Sequence, residues 1–193
     1  MNKTRLEAFS DGVFAIIITI MVLELKVPHE ASVTALLHLL PVFTSYLLSF
    51  IFIAIYWTNH HHLLHAVKKV NSTIIWANMG LLFTLSLIPF STGWMGENEY
   101  AELPVAIYSF NLLLSGFGAY LLQTAITRNL SPDDKIFLII KKNVKKTYIT
   151  VGVYIICIVC SFYYPMVSLF LILLVSILWV IPDRSIEKLL ENE

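Results

Sequence analysis

Residues 5–27 read RLEAFSDGVFAIIITIMVLELKV. Between Asp11 and Glu24 lie only the uncharged residues Gly12 to Leu23, which as a helix reach about 18 Å. A hydrocarbon core is about 30 Å thick. A crossing helix must therefore carry some of Arg5, Glu7, Ser10, Asp11 and Glu24 into or near the bilayer, where ionisable groups face protein or water rather than lipid. The run thus predicts an interior membrane helix. Asp11 interrupts it and no small-x-small site follows Ile20, so it is expected to be retained rather than cleaved as a leader.

The rest of the chain agrees with that reading. Of 193 residues, 58% are hydrophobic and 13% charged, and the mean hydropathy is +0.76, outside the range of soluble domains. At about 20 residues per crossing the length allows about six helices and leaves no room for a soluble catalytic domain. The expectation is an all-α, six-transmembrane-helix protein forming a single domain over 1–193, with spans near 5–27, 36–63, 73–91, 104–127, 147–164 and 166–181. Pro28, Asn71-Ser72, Gly93 and Gly96, and Tyr164-Pro165 mark the breaks. No motif or spacing repeats between the halves.

Thirteen basic and thirteen acidic residues sum to zero, so no overall field favours nucleic acid. Their distribution is informative. With the N-terminus inside, Lys3, Arg5, Lys68, Lys69, Arg128, Lys135, Lys141, Lys142, Lys145, Lys146, Arg184 and Lys188 all fall on the cytoplasmic side and Lys26 alone lies outside. Glu24, Glu30, Glu97, Glu99 and Glu102 fall on the opposite side. Both termini are expected inside, at the cell's inner membrane. In the longest connection, Ser131-Pro132-Asp133-Asp134 resembles a helix start, and the lysines that follow interleave with Ile136, Phe137, Ile140 and Val144, a basic amphipathic pattern suited to the membrane surface.

On the first helix Ile16, Ile20 and Leu23 are spaced i, i+4, i+7, with Thr19 beside them. The stripe reads either as ordinary packing or, if identical subunits place this helix around a shared axis, as stacked apolar rings that close a pore by dewetting. Trp57, Thr58, Asn59, His60, His61, His62 and His65 form a polar group on the second helix, at the depth of Asp11. The indole and imidazole N–H groups are donors and the carboxylate an acceptor. Asn78 and Gln123 lie at similar depth. This group reads as a structural clamp or as direct ion handling. The histidines lack a neighbouring carboxylate or cysteine, so no metal site is expected. Cys157-x-x-Cys160 inside an apolar run reads as packing, as does the small patch Ser115, Gly116, Gly118 and Ala119.

The run Arg5-Leu6-Glu7-Ala8-Phe9-Ser10-Asp11 resembles the R-x-x-x-F-S-D signature of the endosomal/lysosomal potassium channel family, the transmembrane protein 175 type. Trp57-Thr58-Asn59-His60 resembles its W-x-x-H element. The resemblance implies a homotetrameric, potassium-permeable channel without a T-V-G-Y-G filter loop, modestly selective over sodium and needing no cofactor. It further implies a constriction at Ile16, Ile20 and Leu23, a selectivity role for Thr19, and a cytoplasmic-side hydrogen-bond network of Arg5, Ser10, Asp11, Trp57 and His60. The expected partners are K+ and other monovalent cations, the bilayer and further copies of the chain. The competing reading is a secondary transporter or proton-coupled exchanger using Asp11 and His60 as a relay, although the repeats and interrupted helices usual in transporters are missing from the sequence. No nucleophile, base and acid stand together to suggest an enzyme.

Overall fold

A computed structural model describes residues 2–65, 67, 69–128, 130 and 135–180, with the side chains of 135, 136 and 138–145 left aside. The described residues form helices α1 (Lys3–Leu23), α2 (Val33–Leu37), α3 (Leu40–His65), α4 (Ser72–Ser86), α5 (Ile88–Glu97), α6 (Glu102–Thr127), α7 (Lys135–Ser161) and α8 (Pro165–Val180). Local chemistry explains several boundaries. The side chains of Asn2, Ser32 and Asn71 cap α1, α2 and α4 by accepting from the amides of Arg5, Ala35 and Ile74, satisfying donors that a helix start leaves free.

Among the described residues, four helical stretches are long and apolar enough to cross a membrane: Lys3–Leu23, Leu40–His65, Ser72–Glu97 and Glu102–Thr127. Lys146–Ser161 and Pro165–Val180 are shorter apolar helices. The third span differs from the expected 73–91. It continues to Glu97 with a break at Leu87, because Pro89 lacks an N–H and its ring displaces the carbonyl four residues back. Gly93 and Gly96, read from sequence as a break, lie inside α5 and serve packing. A Cβ on Gly96 would meet Val42 Cα at 2.8 Å, so only glycine lets α5 lie this close to α3.

Two further boundaries shift. The first helix ends at Leu23, short of the expected 27, where the Glu24 amide turns back to Met21 and Val22 carbonyls. The lysine-rich amphipathic segment, expected as a separate piece at the membrane surface, and the fifth span form one continuous α7. The proposed helix start at 131–134, together with Lys68, Arg184 and Lys188, lies outside the described residues.

α1 packs on α3, α4 and α5, whereas α6 packs on α4, α5, α7 and α8. The core runs through all of them: Phe14, Ile53, Leu85, Tyr108, Leu112, Cys157 and Ile172 are fully or almost fully buried. Gly118 places α6 against the α4 backbone, with its would-be Cβ 3.0 Å from Leu81 Cα, as the small-residue patch suggested. Cys157 and Cys160 are free thiols. Ser168 of α8 donates to the Cys157 carbonyl at 3.0 Å, which joins α8 to α7, while Ser161 donates to the same carbonyl within α7 at 2.6 Å. Large apolar side chains such as Trp76, Phe83, Phe117, Ile155 and Phe170 point outward. In water such a surface is unfavourable; against lipid tails it costs nothing.

Candidate functional site: the first helix and its anchors

α1 has two faces, and the 100° step between helical residues explains both. Leu6, Ser10, Phe14, Ile17 and Met21 fall within an arc of about 80° and are buried. Gly12, Ile16, Thr19 and Leu23 fall within about 60° on the nearly opposite side, and all four are exposed in the single chain. Ile16 is 58% and Leu23 76% exposed, with Ile20 at the edge of the same face. Gly12 has open space where a side chain would begin. The Thr19 hydroxyl donates to the carbonyls of Ala15 and Ile16 at 3.0 and 2.9 Å, which leaves its oxygen lone pairs available on the exposed face.

The buried face is held near Ser10 by a chain of polar contacts whose directions follow from proton counting. Ser10 Oγ–H donates to the Leu6 carbonyl at 2.8 Å. Its only proton is then used, so Ser10 Oγ accepts from Asn78 Nδ2 at 3.0 Å. That orientation turns Asn78 Oδ1 toward His60, whose Nε2 at 2.7 Å must carry the proton and donate. Phe14 closes the group, its ring 5.3 Å from that of His60. Ser10, His60 and Asn78 are buried, which makes every unmade bond here expensive.

Beside this chain, Trp57 Nε1–H donates to Asp11 Oδ1 at 2.9 Å. The structure therefore brings Ser10, Asp11, Trp57 and His60 together at one level of α1 and α3. Arg5 stands apart. It is exposed, and its backbone amide donates to the Asn2 side chain at 3.0 Å. Asn78, which sequence reading placed only at similar depth, is the link between Ser10 and His60. Gln123 is not in this chain of contacts; its backbone carbonyl accepts from the Thr127 hydroxyl at 3.0 Å within α6. His61 lies tilted beside Trp57 and edge-on to His62, at ring distances of 6.0 and 5.8 Å. Among the described residues no group of three or more His, Cys, Asp or Glu is placed to hold a metal ion.

α1 is also fastened at its ends. Lys3 Nζ donates to the His65 carbonyl at the end of α3 at 2.7 Å and lies 3.9 Å from Glu7. Beyond the other end, Lys26 Nζ donates to Glu97 Oε1 at 2.6 Å. The hydrogen bond and negative charge of Glu97 raise the Lys26 ammonium above its ordinary value. Sequence reading noted both charges without pairing them, since 71 residues separate them.

These features define a helical membrane protein whose first helix is anchored on one side and free along an apolar, hydroxyl-bearing face on the other. The chain belongs to the TMEM175 family. Residues 5–89 match the family model described as endosomal/lysosomal potassium channel TMEM175. A Chryseobacterium sp. (strain P1-3) protein named as a potassium channel is 48% identical over 192 residues, covering 100% of both chains. A Streptomyces collinus protein, also named as a potassium channel, is 33% identical over 137 residues, 66% of each chain. The crystal structure of a lysosomal potassium-selective channel TMEM175 homolog from Chamaesiphon minutus superposes with a TM-score of 0.80 at 28% identity, covering 95% of this chain and 97% of that one. The family and these relatives are channels, not enzymes.

Proposed function

We propose that this protein is a potassium-permeable channel in which four copies surround an axis lined by α1. Ile16, Ile20 and Leu23 form its apolar constriction, and Thr19 presents a hydroxyl beside it. The observation that carries this reading is the exposed face of α1. Asp11, Gly12, Thr19 and the three apolar residues all lie on the exposed half of a helix whose other half is buried. Against lipid that half would set a carboxylate into or near hydrocarbon, a costly placement. Against an axis shared with other copies, Asp11 meets water or protein, and the apolar side chains become rings that govern wetting.

In the same reading α7 and α8 complete six crossings in one unit. Both termini lie on the cytoplasmic side of the cell membrane, supported by the crowding of lysine and arginine there. Selectivity for K+ over Na+ is modest, because one hydroxyl per subunit and apolar rings offer fewer fixed oxygens than a filter of stacked carbonyls.

Purified protein in liposomes, loaded separately with K+ and Na+ gradients, tests the proposal. Passive flux of K+ exceeding that of Na+ is expected. Flux that saturates or requires a counter-ion gradient means a transporter instead. Ile16→Asn is expected to raise flux several-fold or reduce the K+ preference by hydrating the constriction; unchanged flux and preference mean that Ile16 does not line the path. Cross-linking that stops at dimers contradicts the fourfold assembly.

A further inference from the structure

The peptide that follows α1 meets α5 at two neighbouring points, one a packing contact and the other an ion pair. The Glu24 side chain lies along Gly93, 3.4 Å from where a Cβ would stand. Two residues later the Lys26 ammonium meets Glu97 at 2.6 Å. Gly93 and Glu97 are one turn apart on α5 and share a face, so the contact and the ion pair fall on the same side of that helix. The peptide between is wound rather than slack: the amides of Glu24, Leu25 and Lys26 bond to the carbonyls of Met21, Val22 and Glu24. A displacement of Lys26 is therefore passed to Leu23 through a hydrogen-bonded turn.

We propose that Lys26 and Glu97 are positioning residues for the outer constriction: their ion pair holds the C-terminal end of α1 against α5 and so sets where Leu23 stands. The proposal rests on the reading of α1 as the pore-lining helix. Both side chains are solvent-exposed, at 73% and 45%, so the pair is a weak tie that water and salt compete with. It acts as an adjustable latch rather than a weld. Glu24, the other charge felt by Lys26, favours the ammonium but is engaged with Gly93.

The test compares Lys26→Gln, Glu97→Gln and the double variant, with K+ flux in liposomes and hydrogen exchange at amides 24–26 as two readouts. If the pair is a latch, each single variant raises flux about twofold to fivefold, the range an exposed ion pair supports, and the double variant does no more than either alone. Exchange at 24–26 accelerates in all three. If the two charges act only on passing cations, removing Lys26 raises flux, removing Glu97 lowers it, and the double variant cancels them. That pattern, or unchanged exchange at 24–26, overturns the latch while leaving the channel reading intact. Faster exchange with unaltered flux overturns the positioning role and keeps the ion pair. No flux from the unmodified protein overturns the channel reading and, with it, the role assigned to Leu23.

Discussion

The two halves of α1 are held by opposite kinds of chemistry. Near its N-terminal half, Ser10, Asn78 and His60 form a buried chain of hydrogen bonds. Just beyond its C-terminus the main tie is a single ion pair in solvent. Burial makes the first strong, because breaking it leaves unsolvated polar atoms behind. Exposure makes the second weak, because water replaces whatever the partner provided. One helix is thereby fixed at one end and adjustable at the other.

The contrast breaks most visibly at Asn78. Asn78→Leu leaves the hydroxyl of Ser10 without its donor and the His60 N–H without its acceptor, two losses of about 1–3 kcal/mol each. Thermal unfolding in detergent is expected to show a large drop in midpoint and poor assembly. Stability equal to the parent means the buried chain is not what holds this end.

Asp11 gives a smaller effect and sharpens the account of its bond to Trp57. Asp11→Ala removes the acceptor of an exposed bond and is expected to cost about 0.5–1.5 kcal/mol, the net range for a hydrogen bond that water can replace. Asp11→Asn keeps an oxygen in place and is expected to cost less. Equal losses in the two variants show that the negative charge matters rather than the hydrogen bond.

The smallest effects belong to the outer end. Raising KCl from about 0.1 to 1 M shortens the screening length from about 10 to 3 Å. Exchange at amides 24–26 is expected to rise with no change around Ser10; equal response at both ends removes the contrast. The raised Lys26 value has its own consequence. Its pairing is present below the ordinary lysine range and lost as pH rises through the elevated value. At a mildly alkaline pH the free-amine fraction is therefore small, and acylation of Lys26 measured by mass spectrometry is expected to be slower than in Glu97→Gln. Equal rates mean Glu97 does not hold the ammonium.

Much of this was legible in the chain itself. Asp11 and Trp57 fall at one depth because one helix runs outward and the next inward, and a carboxylate there needs a donor; the 2.9 Å bond follows. The stripe of Ile16, Ile20 and Leu23 was readable from spacing, and its exposure agrees with a face reserved for something other than the bundle core. What could not be read were contacts across long separations. Asn78 lies 68 residues from Ser10, and no local pattern distinguishes a bridging asparagine from an ordinary polar residue in a span. Arg5 belongs to the same signature run yet lies exposed, since adjacent helical residues point in different directions. The third span reads short in the sequence because glycine is an ambiguous sign: it breaks helices in water but lets them pack closely in membranes.

Composition and periodicity by themselves determined that this is an all-helical membrane protein with an unusual first helix, because hydrophobic length and charge placement are local properties that the bilayer reads directly. Only the tertiary structure decided which atoms hold that helix. Hydrogen-bond partners depend on distances of about 3 Å between residues far apart in sequence, and those distances exist only once α3, α4 and α5 have packed around α1.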